Sequence, residues 1–143
     1  MTKNVLVQVK GTQTRRYEPE DSGEIIESIT TGTYYKRNGC HYLFYEECLG
    51  DPEDVVKNRV KIRPDAVEIT KTGSTGACMN FELGKKNISL YQTMYGQMEM
   101  ASLTDIIQIE EKPDVFHLYL RYELDVNNQY SCDNQIEITV TPN

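Results

Sequence analysis

The sequence predicts an all-β protein: a closed up-and-down antiparallel barrel of about eight strands. Three observations carry that expectation. Asn38-Gly39 stands between Tyr34-Tyr35-Lys36-Arg37 and Cys40-His41-Tyr42-Leu43-Phe44. Asn-Gly flanked in this way is the strongest local hairpin signal, because both residues accept the positive φ of a type I′ turn. Between Val115 and Val126 the even positions are Phe116, Leu118, Leu120, Tyr122, Leu124 and Val126, and the odd ones His117, Tyr119, Arg121, Glu123 and Asp125. That period of two puts one face inward and one outward. The same order of strand, turn and strand recurs along the chain without a convincing helix. It gives roughly eight to ten strands, whose open edges closure would remove.

Each element follows from local pattern. Val5, Val7 and Val9 alternate with Leu6, Gln8 and Lys10, and Arg15 to Ser22 reads as a polar loop. Asp51-Pro52-Glu53-Asp54 carries a helix-start signature with room for a single turn. Val60 and Ile62 precede a Pro64-Asp65 turn, and Val67 and Ile69 follow it. After Gly73-Ser74-Thr75-Gly76, Met79, Phe81 and Leu83 share one face and Cys78, Asn80 and Glu82 the other. Gly84-Lys85-Lys86-Asn87 closes that strand, and Ile88, Leu90, Gln92 and Met94 then share an inward face. Met98 to Ile109 fits a helix or a strand. Its flanking strands and isoleucines favour a strand aligning Ala101, Leu103, Ile107 and Ile109, bulged near Asp105. Asn127-Asn128 makes a tight turn, and Ile136, Ile138 and Val140 line one face of the last strand.

Bulk properties narrow the function. A chain of 143 residues is one domain, residues 1–143, able to bury a core without staples. Its net charge of −7 disfavours a nucleic-acid partner. Lys57, Arg59, Lys61 and Arg63 share one strand face, read as solvated. No apolar run reaches membrane-spanning length, and the first residues show no signal-peptide pattern, so a cytoplasmic location is expected. Cys40, Cys48, Cys78 and Cys132 lack zinc-ribbon or C-x-x-C spacing and read as reduced thiols. Asn87-Ile88-Ser89 matches a glycosylation acceptor, incidental in a cytosolic protein.

Five short blocks resemble a known family: Gly32-x-Tyr34-Tyr35; Tyr42-Leu43-x-Tyr45-Glu46-Glu47; Lys71-Thr72-Gly73 leading to Met79-x-Phe81-Glu82; Tyr91-x-Thr93-x-Tyr95-Gly96; and Leu118-x-Leu120-x-Tyr122-x-Leu124. They are similar to the YwiB-like family of uncharacterised bacterial proteins, and the resemblance runs over nearly the whole chain. It implies a calycin, or lipocalin-like, barrel of eight strands. Two positions depart from the family's pattern: Lys71-Thr72-Gly73, where Arg is frequent, and Met94, where proline is frequent. The family carries no established activity, so it supplies no catalytic residue.

An eight-stranded barrel is filled by side chains or holds one small ligand. In a regular strand one of Glu46 and Glu47 must face the lumen. If Tyr42 and Phe44 point inward, it is Glu46. Tyr122 shares the face of Phe116 and Leu120, and Gln92 lies between Leu90 and Met94. Tyr42, Glu46, Gln92 and Tyr122 are therefore the candidate ligand-binding residues. Tyr91, Tyr95 and Tyr119 fall on the outer wall. His41 and His117 lack a nucleophile motif and metal-ligand spacing, and Thr72-Gly73-Ser74-Thr75-Gly76 lacks the Lys-Ser/Thr end and helix of a phosphate loop. No cofactor, metal or catalytic residue is expected.

Three uses of such a barrel stay open. One is a non-enzymatic binder of a small amphipathic molecule. The second is a calycin-type enzyme resembling phenolic acid decarboxylases, with Tyr42, Glu46 and Tyr122 as candidates, although Arg121 falls on the outward face. The third is a structural protein forming a homodimer through Tyr91, Tyr95 and Tyr119.

Overall fold

Ten strands follow one another along the chain. In the computed structural model, residues 4–15, 23–48, 53–73, 76–93 and 96–143 are described, with backbone alone for 91–93. The strands are β1 (Asn4–Thr14), β2 (Glu24–Arg37), β3 (Cys40–Cys48), β4 (Val55–Arg63), β5 (Ala66–Gly73), β6 (Ala77–Glu82), β7 (Lys86–Thr93), β8 (Gly96–Lys112), β9 (Val115–Val126) and β10 (Gln129–Pro142). The expected turns separate them. Asn38 and Gly39 have φ of 53° and 78°, and Asn127 and Asn128 have 50° and 66°, the left-handed values that a type I′ turn requires. Much of the Arg15–Ser22 loop, the start of the Asp51–Asp54 helix signature, and Ser74-Thr75 lie outside the described residues.

All ten strands form one sheet in the order β6-β5-β4-β3-β2-β1-β10-β9-β8-β7. Every laddered pair is antiparallel. Sequence neighbours pair throughout except β6 with β7, and β1 meets β10 from Val5↔Pro142 to Thr14↔Asp133. The barrel is thus nearly closed. At the seam no ladder joins β6 to β7, but the turn between them donates Leu83 N–H to Asp65 O and Gly84 N–H to Thr104 O. The count of ten corrects the expected eight. Ten is the upper end of the eight to ten strands that the turn signals allowed, and eight is the figure that the lipocalin-like resemblance implied.

The inward side chains fill the barrel. Leu43, Ile62, Phe81, Phe116, Leu118, Leu120 and Ile138 are fully buried, with Val5, Val7, Val60, Val67 and Val140 between them. Full burial of each large side chain contributes about 1.5–3 kcal/mol. The even positions of β9 and the valines of β1 point inward as expected. The basic residues of β4 point outward, where Arg59 pairs with Glu68 at 3.0 Å.

Three phase expectations are corrected. In β3 the inward set is His41, Leu43 and Tyr45. Tyr42, Phe44 and Glu46 face out, with Tyr42 stacked on Tyr35 at 4.9 Å. In β8 the register slips between Thr104 and Ile106, a bulge at the expected Asp105. The extra residue inverts the alternation, so Ser102 and Thr104 are buried inside while Leu103 is exposed. In β7, Ile88 and Leu90 are exposed, while Asn87 and Ser89, on the opposite face, are half-buried.

Candidate functional site

A fork in the wall creates a recess. The β2–β3 ladder begins at Arg37↔Cys40 and ends at Gly32↔Tyr45. Beyond it, the first half of β2 stays on β1, while Glu46, Glu47 and Cys48 stay on β4. Gly32 permits the approach at the branching point. A Cβ there would lie 2.5 Å from Phe44 O and 3.0 Å from Val7 Cγ2. The resulting cleft has a volume of about 730 Å³ and is lined by Thr30, Thr31, Thr33, Phe44, Tyr45, Glu46, Cys48, Lys57 and Asn58, with Asn4 and Asn143 at one end.

Its floor is polar and buried. Asn58 is 2% exposed, and its Nδ2 donates to Glu47 Oε1 at 2.7 Å. Lys71 Nζ donates to the same oxygen at 3.0 Å. Asn58 Oδ1 is buried without a hydrogen-bond partner among the described residues. Burial, with the Glu47 charge adding, raises the Tyr45 hydroxyl well above its ordinary range. The lumenal carboxylate of the glutamate pair is therefore Glu47, held by an amide and an ammonium. Such an orphaned acceptor costs on the order of 1–3 kcal/mol, a cost a donor from a ligand or a water would remove.

A second polar group lies six residues back along β3, about 20 Å away. The Tyr34 hydroxyl donates to His41 Nδ1 at 2.6 Å, and His41 Nε2 faces Glu111 Oε2 at 3.5 Å. Lys36 Nζ clamps Glu111 at 2.9 and 3.1 Å. The His41 ring sits 4.4 Å from that of Phe116. Burial lowers the imidazole's pKa, Lys36 adds to that, and Glu111 opposes it. Burial and Glu111 push the Tyr34 hydroxyl up to about 12. The hydrogen bond from Lys36 holds Glu111 below the usual carboxylate range. The neutral ring accepts through Nδ1 and turns Nε2–H toward Glu111. A tyrosine held protonated in this way is a donor, not a nucleophile. A recess of about 370 Å³ outside it is lined by Tyr34, Lys36, Glu111, Lys112 and Pro113.

The three candidate ligand residues whose side chains are described, Tyr42, Glu46 and Tyr122, do not converge. Tyr42 lies on the outer aromatic stripe under Lys61, whose Nζ is 5.7 Å from its ring centroid. Glu46 lines the cleft from outside. Tyr122 is inward and packed on Phe81 at 4.6 Å. The side chain of Gln92 lies outside the described residues, as do those of Tyr91 and Tyr95. Arg121 faces Asp105 at 3.8 Å. Cys48 lines the cleft, but His41 belongs to the other cluster and His117 to β9. The four cysteines are free thiols, and among the described residues no three metal-ligating side chains gather.

Sequence reasoning missed His41, Glu111, Asn58 and Lys71. The two-residue turn already coupled Lys36 to His41 and Tyr34 to Leu43 across the hairpin. Only the choice of face was open, and the outward basic face of β4, read through Leu43↔Val60, decides it.

A nearly closed ten-stranded meander, plugged by its own side chains and forked in one wall, is a β-barrel protein with its recesses at the rim. This chain belongs to the family described as a domain of unknown function (DUF1934), whose model matches residues 7–138. It is 30% identical over 124 residues to the uncharacterized β-barrel protein YwiB of Bacillus subtilis (strain 168), covering 84% of each chain. The crystal structure of the YwiB protein from Bacillus subtilis matches with a TM-score of 0.80 at 24% identity, over 99% of this chain and 92% of that one. The fold is shared. No helix among the described residues is long and apolar enough to cross a membrane.

Proposed function

We propose that the chain is a non-enzymatic binding protein that takes one small amphipathic molecule in the cleft between β2 and β3. The observation that carries this reading is Asn58, which lines that recess and holds a buried acceptor, Oδ1, without a partner among the described residues. Threonine hydroxyls and the Phe44 ring supply the mixed polar and apolar wall such a ligand needs. A decarboxylase-like reading needs Tyr, Arg and Glu converging on one lumen, whereas Tyr42, Glu46 and Arg121 face out and only Tyr122 faces in.

The test is native mass spectrometry of protein purified from its source. The expected result is one retained small molecule, lost in Asn58→Leu and weakened in Phe44→Ala. Phe44 is partly exposed, so its variant decides the matter if Asn58→Leu does not fold. Recovery of bare polypeptide alone, or a ligand retained equally by the folded variants, overturns the proposal.

A further inference from the structure

The first half of β2 is exposed on both faces. Every residue from Glu24 to Ile29 is exposed, with Ile25 at 59%, Ile26 at 71% and Ile29 at 64%. Over Glu24–Thr31 its ladder runs to β1 alone, so the edge on the β3 side has no strand neighbour among the described residues. Natural edge strands are usually short, charged or covered. This one is long, and it carries three large apolar side chains. The period-2 pattern sets Ile25, Glu27 and Ile29 on the outer face and Glu24, Ile26 and Ser28 on the inner. Neither Glu24 nor Glu27 forms an ion pair among the described residues, although Lys10 of β1 stands opposite Glu27 on the other side of the ladder, and Glu46 lines the cleft across the fork.

We propose that the β2 edge from Glu24 to Ile29 docks an extended segment of another protein, one alternating apolar residues with Lys or Arg. The segment adds a strand through backbone hydrogen bonds. Its apolar residues lie against Ile25 and Ile29, and its cation lies opposite Glu27, the favourable arrangement for a cross-strand pair. Charge selects this occupant over a second copy. The two-fold register that sets both outer isoleucines against each other, Ile25 on Ile29, also sets Glu27 against its own copy. Like charges directly opposite destabilise a pair. The surface is separate from the cleft floor, so this proposal does not depend on the small-molecule reading.

The experiment is fluorescence anisotropy with the full chain and a labelled octapeptide of alternating valine and lysine. Two control octapeptides replace the lysines with glutamates or place proline at the centre. Saturable binding of the lysine peptide alone is expected, about tenfold weaker to Glu27→Lys and to Ile25→Thr/Ile29→Thr, and unchanged for Asn58→Leu. These side chains are exposed, so the variants should fold, and amide exchange should show new protection across residues 24–29 on binding. Equal binding of the proline peptide would mean charge attraction without strand addition and would overturn the proposal. So would a dimer in sedimentation that Ile25→Thr/Ile29→Thr dissolves, since a second copy would then hold the edge.

Discussion

Replacing Tyr34 with phenylalanine removes one oxygen and leaves the ring, which packs 5.6 Å from Phe116. The change isolates the 2.6 Å bond to His41 Nδ1. His41 is 7% exposed, so the abandoned nitrogen has no route to bulk water. Leaving one buried polar atom unsatisfied costs about 1–3 kcal/mol. For a domain near this size each kcal/mol lowers the melting temperature by about 2–4 °C. Tyr34→Phe should therefore melt about 2–12 °C lower in scanning calorimetry, with the far-ultraviolet spectrum unchanged. A double-mutant cycle with His41→Phe sharpens the test. Removing both partners abolishes the orphan, so the double variant should lose less than the sum of the single losses. A melting point for Tyr34→Phe within about 1 °C of wild type would refute the view that this bond satisfies an otherwise stranded buried nitrogen.

His41 has a folded pKa below its unfolded 6.5, so the unfolded chain takes up the extra proton first as acid is added. The stability from the neutral imidazole is present above 6.5 and is lost as pH falls toward the folded value. Glu111, also lowered, adds a loss of the same sign at more acidic pH. Thermal melts between pH 8 and 5 should fall steadily for wild type and flatten in His41→Phe; parallel curves would contradict this. Tyr34 works at the other end. Its raised value favours the protonated hydroxyl, so stability is lost as pH climbs from 10 to about 12. Gly32→Ala places a methyl carbon 2.5 Å from Phe44 O. The fork must shift, and urea titration should show a loss of about 1–3 kcal/mol; a loss below about 0.5 kcal/mol would mean the branch point is soft. Deleting Asp105 removes the one residue without a ladder partner and leaves Thr104, Ile107 and Ile109 on their present faces in a regular ladder, so the variant should still unfold cooperatively; loss of the cooperative transition would mean that the bulge itself is needed. Asp105→Ala should melt like wild type, because Asp105 is exposed and its contact with Arg121 is a surface pair.

Legibility in the sequence followed the range of the interaction. β9 was readable because its alternation is unbroken, and the Asn38-Gly39 and Asn127-Asn128 turns because left-handed backbone selects asparagine and glycine. The bulge near Asp105 was also visible, yet its effect on Leu103 was not, since a single inserted residue inverts every face beyond it. Ile88 and Leu90 misled for a different reason. Their alternation is real, but β7 borders the seam and turns its isoleucine and leucine outward. The cleft left only one local trace, Gly32 inside a strand, the composition expected where two backbones crowd. Asn58 at its wall is bonded through Glu47 to Lys71, three residues from three strands, and the rim cluster joins His41 to Glu111 across 70 positions. Neither grouping has a spacing that a linear pattern could reveal.

The seam has a consequence for how this polypeptide can be assembled. β1 is synthesised before all the other strands and must wait for β10 as its second neighbour. Their ladder is the most distant in the sequence and so the slowest kind to form. In space, however, Asn143 N–H already touches Asn4 O at 3.2 Å. Joining those ends and opening the chain at Gly84 would place every ladder between consecutive strands. Such a circular permutant would fold as a chain of hairpins, faster than the natural order, without altering one rung of the sheet.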